Sequence, residues 1–376
     1  MVHLSYRVLH SFLLLLWLTS LCRAVRSAPL DQQTPRQQET VGFRLYYEEG
    51  LAPIAFAAQD LDTILSQRAT NVQTEVLTEL GSSTDCQRVV LSTKRPATLA
   101  ALQAAGGTPV MDLKEQAYAL RVTATGNQKT IWIIGGDRIG TMYGGIHVGE
   151  IINAHGLSAI KDQDHHPYIA KRGIKFNIPL DDRLPSHDDR GPAAQMNIVN
   201  MWDFGFWHDY LDTLARQRYN VLSLWNKHPF PALVKLDDYP SAAADDVYSM
   251  TGKVLDMTID EKIALWQRIM EHAYQRGIEI YFITWNIHMG TGRAKHGVWE
   301  NARNEKDIDY LRQSVKALFL TYPRLAGIGV TAGENMQGMS SQEKETWLWK
   351  TYGLGIQDVQ AVQPDRHIRF IHRYWW

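Results

Sequence analysis

Apolar and polar positions along the chain divide it into two differently built parts. An ordered segment is predicted to begin at Val41, where Phe43, Leu45 and Tyr47 alternate with their neighbours as in a strand. Residues 52–67 carry helical spacing, residues 89–91 a short strand, and residues 97–105 a helix that stops at Gly106-Gly107. Two strands, 118–122 and 130–134, pair around a turn at Gly126-Asn127. Asp137 caps a helix that runs to residue 154 and ends at Gly156. Together these elements make a small α+β domain over residues 41–165.

Residues 162–168 read as a polar hinge, and the pattern changes beyond it. Strands are predicted at 172–178, 219–224, 278–284, 325–331 and 368–371, with helices between them at 204–218, 258–277, 307–320 and 340–352. Two of these helices open on capping boxes, Thr258 with Glu261 and Ser340 with Glu343. No hairpin signal separates the strands, so they are expected to be parallel with helical crossovers. The predicted fold class is α/β: a small α+β N-terminal domain followed by an incomplete (β/α)8 barrel of about five βα units over residues 170–376. An open doubly wound sheet would gather its chemistry at one switch point, whereas here chemistry-bearing residues follow every strand. At roughly 45–60 residues per unit, the pattern stops short of eight units by roughly 150 residues.

Composition narrows the function classes. The 376 residues carry a net charge of −1, which gives no basic stripe for nucleic acid and no attraction to a membrane surface. Residues 12–18 are almost wholly apolar behind His3 and Arg7, with Ala24 and Ser27 as possible cleavage points. That run is short for a membrane span, and residues 1–27 are predicted to be a cleaved secretory signal, followed by a polar linker at 28–40. The expected location is secreted or periplasmic, with no membrane attachment after cleavage. Of the two cysteines, Cys22 falls in the signal, which leaves Cys86 alone and the fold dependent on its core. Gly135, Gly136 and Gly140 resemble a dinucleotide loop, but Asp137 stands where the second required glycine belongs, so no cofactor is expected. Twelve Trp and 16 Tyr suit a ligand with apolar faces and hydroxyls, as sugars have.

The strand ends concentrate the candidate chemistry. They read Asn177 to Arg183, Trp225-Asn226-Lys227-His228, Trp285-Asn286 with His288, Thr331 to Asn335, and His372 to Trp376. Glu334 is the candidate catalytic acid, because glycoside hydrolysis needs a carboxyl group to protonate the departing oxygen. The competing reading pairs Glu334 with Arg293 or Lys295. Trp225 and Trp285 are candidates to stack on a sugar, and Asn226, Asn286 and Asn335 to bond its hydroxyls. Lys227 and Arg373 suit a carboxylate on the ligand, as in a uronic acid. Asp181, Asp182, Asp188 and Asp189 suit either ligand hydroxyls or pairing with Arg183 and Arg190; Asp181 is the candidate for ligand contact and Asp182 the weaker one. His228 and His288 are further candidates for ligand contact; with His372 they raise the question of a metal, but no HxH or HExxH spacing supports one, and none is expected. The expected partner is a carbohydrate.

Residues 133–156 (IIGGDRIGTMYGGIHVGEIINAHG) resemble the end of the small domain that precedes the barrel in α-glucuronidases and β-N-acetylhexosaminidases. Gly136, Asp137, Arg138, Gly140, Tyr143 and Gly144 carry the likeness, which extends over residues 41–376. The resemblance implies an O-glycosyl hydrolase. In the hexosaminidases an Asp-Glu pair ends the fourth strand and the Asp orients the substrate's acetamido group; here Gly333 precedes Glu334, which argues against that mechanism. In the α-glucuronidases a Glu in this region is the general acid, a role that passes to Glu334, while the base comes from later strands. Three readings stay open: an active glycosidase acting on a uronic-acid-containing glycan, an inactive truncated fragment lacking the second carboxylate, and a carbohydrate-binding protein without turnover.

Overall fold

A computed structural model describes residues 42–69, 71–78, 86–186 and 191–374. The predicted signal and linker, Asp188, Asp189, Arg190, Trp375 and Trp376 lie outside them. The first part comprises β1 (Gly42–Tyr47), α1 (Ala52–Ser66), β2 (Val72–Val76), β3 (Cys86–Thr93), α2 (Pro96–Ala104), β4 (Tyr118–Thr125), β5 (Gln128–Gly135), α3 (Arg138–His155) and β6 (Gln163–His165). Its sheet has the order β2-β1-β3-β5-β4-β6. Strands β1, β2, β3 and β5 are parallel, while β4 runs antiparallel to β5 and β6.

Two strands were not legible as such. β2 is an edge with mostly exposed side chains, so it shows no buried face in the sequence. The stretch expected to be a polar hinge instead supplies β6. Its polar residues do the pairing: Asp162 accepts the Val122 N–H at 2.8 Å, and Asp164 meets the Arg121 guanidinium at 2.6 Å. Edge pairing needs backbone groups rather than apolar side chains, so composition alone does not reveal it.

Helix α3 begins where Asp137 accepts the Gly140 N–H at 2.7 Å. Its glycines serve two neighbours. A Cβ on Gly140 would lie 2.1 Å from the Ala117 oxygen and one on Gly144 2.7 Å from Ile133, so these two bring the helix onto the sheet. Gly145 instead faces Ala57 of α1, at 2.8 Å, and permits helix–helix approach.

The second part comprises β7 (Gly173–Asn177), α4 (Pro192–Asn197), α5 (Phe204–Arg216), β8 (Val221–Trp225), α6 (Phe230–Leu233), β9 (Val247–Ser249), β10 (Gly252–Leu255), α7 (Ile259–Gln275), β11 (Glu279–Trp285), α8 (Glu305–Thr321), β12 (Leu325–Ala332), α9 (Ser341–Leu348), α10 (Leu354–Val362) and β13 (Arg369–Tyr374). Five strands form a parallel sheet in chain order, β7-β8-β11-β12-β13. The barrel is not closed among the described residues. Leu222, Leu224, Ile280, Phe282, Ile328 and Val330 are buried on the side of the helices. Both predicted capping boxes are present.

Two departures from the expected alternation have local causes. A hairpin, β9 with β10, is inserted between β8 and α7; its strands of three and four residues are too short to show a period. The helix expected to stop at residue 352 passes through a π turn, Trp349–Gly353, and continues as α10. Gly355 is not a stop signal there: a Cβ on it would lie 2.8 Å from the Val315 Cβ and 2.9 Å from the Arg312 oxygen, so the glycine lets α10 lie against α8.

The two sheets meet through Arg172, just before β7. Its guanidinium donates to the Tyr143 hydroxyl at 3.1 Å, Gln116 Oε1 at 2.8 Å and the Arg218 carbonyl at 2.8 Å. Arg138 stacks on Tyr274 at 4.4 Å, and Arg218 pairs with Glu150 at 2.6 Å. Two residues of the motif around Asp137, Arg138 and Tyr143, therefore help to hold the two halves together.

Candidate functional site

Parallel pairing places aligned residues on the same face of the sheet. On the face away from the helices, one row runs Asn177, Trp225, Ile283, Gly329, Ile371. The next row toward the strand ends is Trp285, Thr331, Arg373. Gly327 and Gly329 keep the middle of β12 bare, and Tyr281 and Ile283 lean across it: a Cβ on Gly329 would meet Ile283 at 2.5 Å.

Glu334 follows β12 on a turn in which Gly333 and Asn335 both have left-handed backbone, with φ of 94° and 61°. Its main-chain oxygen accepts from the Asn286 carboxamide, whose oxygen in turn accepts the Ile287 N–H at 2.5 Å. The side chain is half-buried, and its Oε2 accepts the Trp285 indole N–H at 3.0 Å. Neither cation proposed as a competing partner reaches Glu334 in this arrangement. Arg293 lies 3.4 Å from Glu300, and Lys295 donates to the Ser241 carbonyl at 2.5 Å.

Trp285 is buried and sits edge-on to Trp225, with ring centroids 5.5 Å apart. Trp225 is half-buried, and its indole N–H is held by Ser223 at 2.7 Å. Two cations approach that ring: the Lys175 ammonium at 4.3 Å and the Arg373 guanidinium at 6.0 Å from its centroid. Cations placed over an indole face are attracted by the ring quadrupole. The structure thus gathers Glu334, Trp285, Trp225 and Arg373 with Lys175 and Ser223, which the reading of strand ends missed. Both missed residues lie inside strands, two positions before a strand end on the same face, so the period-2 rule carried their signal.

Other candidates have internal partners instead. Asp181 is 1% exposed; it bonds the Arg183 guanidinium at 2.7 and 2.8 Å and the Tyr248 N–H at 2.9 Å. Asn226 is fully buried, donates to the Ile178 and Leu184 carbonyls at 2.9 Å each, and accepts the His228 N–H at 2.9 Å. Both side chains knit together loops at the strand ends. His228 is also buried, with Nε2 3.1 Å from the Tyr310 hydroxyl. Burial, aided by nearby His288, pushes its pKa down to about 3, so the ring is neutral. Lys227 and His288 are half-buried, and His288 lies 3.9 Å from Glu300. Asn335 is exposed. His372 lies on the opposite side of β13, 3.6 Å from Glu345 of α9. His372 therefore stands apart from His228 and His288, which lie near one another.

The arrangement offers one oriented carboxylate beside an aromatic surface and two cations. Such a set can exchange a proton with a glycosidic oxygen and pair with an anionic ligand group. No helix among the described residues is long and apolar enough to cross a membrane.

No family model matches the chain, and no curated protein matches it. Solved structures do. A GH138 enzyme targeting pectin rhamnogalacturonan II superposes with a TM-score of 0.64 at 23% identity, over 86% of this chain and 43% of that one. A mutant β-hexosaminidase of Streptomyces plicatus, solved with its product GlcNAc, gives a TM-score of 0.55 at 11% identity, over 90% and 66%. The GH20 β-N-acetylhexosaminidase of Streptomyces coelicolor A3(2) gives 0.54 at 12%, again over 90% and 66%. The chain spans less than half the length of the first and about two thirds of the other two. The parallel-stranded half and the mixed sheet before it thus share the fold of glycoside hydrolases.

Proposed function

We propose that this protein is an exported glycoside hydrolase that acts, in the manner of the α-glucuronidases, on a uronic-acid-containing polysaccharide or oligosaccharide, with Glu334 as its general acid. The observation that carries the reading is the placement of Glu334 past β12, its carboxylate oriented by the Trp285 indole and its backbone by Asn286. The approach of Lys175 and Arg373 to Trp225 supports an anionic sugar, because a carboxylate beside that ring would meet two positive charges. Export rests on the apolar run of residues 12–18.

Purified protein is expected to release reducing sugar from uronic-acid-bearing polysaccharide such as glucuronoxylan or pectin. Glu334→Gln should lower that rate by roughly 10²–10⁴-fold, the usual contribution of a general acid. Unchanged release by the variant would remove Glu334 from the mechanism. A second reading, glycan binding without turnover, is favoured because two other carboxylates in the loops after the strands have partners: Asp181 is taken by Arg183, and Glu300 lies against Arg293 and His288. Calorimetric binding of oligouronides with no product would select it.

A further inference from the structure

Helices α5 and α7 lie side by side on the far side of the parallel sheet from Glu334. His208 and Asp212, one turn apart on α5, face His272 of α7, and one ligand atom from each falls within 4.8 Å of the others. His272 Nε2 is 2.8 Å from Asp212 Oδ1, and His208 Nε2 is 3.9 Å from Asp212 Oδ2. The two imidazoles stand 4.6 Å apart at 33°. We propose that His208, Asp212 and His272 form a binding site for a zinc-class divalent transition metal that ties α5 to α7.

The supporting contacts match what such a site needs around its ligands. Asp209 Oδ1 lies 2.9 Å from His208 Nδ1; accepting the Nδ1–H hydrogen bond there leaves the Nε2 lone pair, on the side of Asp212, for a metal. Arg276 Nε donates to Asp212 Oδ1 at 2.6 Å, which fixes the carboxylate and leaves Oδ2 toward His208. Arg216 comes within 4.0 Å of Oδ2, but its guanidinium is engaged by Asp60 at 2.8 and 3.0 Å. His208 is about two-fifths exposed and lines a cleft of about 670 Å³ between α1, α3 and α5, so an ion has a route in. Two imidazoles and one carboxylate oxygen leave a fourth position to solvent, as tetrahedral zinc permits. The lone carboxylate, shared with Arg276, is a poor match for calcium or magnesium, which need several oxygen ligands. Imidazole pairs select zinc, nickel and copper.

The test uses the full chain after removal of metals with a chelator. Zinc chloride at up to tenfold excess should raise the melting temperature by several degrees, and cobalt(II) should give a visible absorption band from bound imidazole. His208→Gln removes the exposed ligand while leaving the Asp212–Arg276–His272 contacts in place, and it should abolish both responses. Asp209→Asn should weaken zinc binding roughly 10–100-fold, as loss of a supporting carboxylate does elsewhere. His288→Gln, outside the cluster, should keep the wild-type response. No response in the wild type, or a response undiminished in His208→Gln, would overturn the proposal.

Discussion

At the residue scale, Trp285 shows how a side chain read as a sugar platform also takes part in contacts that span two strands. Its position after a strand suggested a sugar platform, yet in the fold its N–H meets Glu334 and its ring meets Trp225. A hydrogen bond to a charged group is worth about 1.5–3 kcal/mol. Trp285→Phe keeps most of the packing and removes the donor. On the proposed function it should reduce kcat/KM by about one to two orders of magnitude with an unchanged circular dichroism spectrum. A variant with wild-type kcat/KM would show that the indole does not orient the acid. Asn226 and Asn286 follow a tryptophan in the same way, and both prove to bond backbone groups. Polarity at a strand end was legible; whether it faces a ligand or a neighbouring loop was not, because that depends on a loop from another strand.

Among the elements, periodicity located the five parallel strands and the helices between them, because each buries one face and repeats its apolar residues accordingly. It failed where an element owes its existence to a neighbour. Edge strands β2 and β6 and the short hairpin β9–β10 have no buried face to advertise. The continuation into α10, past the residue where the predicted helix ends, lies beyond a π turn at Trp349–Gly353. Gly355→Ala tests whether the glycine lets α10 lie against α8: the new methyl would press on Val315 and on the Arg312 carbonyl of α8. Overpacking of this kind costs about 1–3 kcal/mol, which thermal or urea unfolding would register. A neutral or stabilising effect would mean that Gly355 serves no packing purpose.

For the whole molecule, buried and half-buried histidines couple stability to pH. His147 and His165 have pKa values lowered chiefly by burial, and His228 is pushed down to about 3 by the same cause. Their unfolded values lie near 6.5, so between the two values the unfolded chain binds more protons. Stability from this source is full above about pH 6.5 and falls as pH drops toward the folded values. Glu279 acts at lower pH: burial opposes its charge, but Lys171, Tyr281 and Arg369 hold its pKa below the ordinary carboxylate value. Its contribution is lost as pH falls through that lowered value. Melting temperature measured by circular dichroism should therefore hold from pH 7.5 to about 6.5 and decline from there to pH 5. A flat profile would contradict the lowered proton affinity of these rings in the folded chain.

Local sequence determined the alternation of strands and helices and the helix caps at Asp137, Thr258 and Ser340, because each depends on spacing or on residues within one turn. Tertiary structure decided which polar residues share a site. Lys175 and Trp225 are 50 positions apart, and Trp285 and Glu334 are 49 apart. They meet only because parallel pairing aligns β7 with β8 and β11 with β12. Asp181 and Asn226 were equally good candidates by residue type, and the same folding turned them inward to satisfy buried backbone and guanidinium groups. Chemistry at a strand end is written in the sequence, but its direction is set by register and by the loops that close over it.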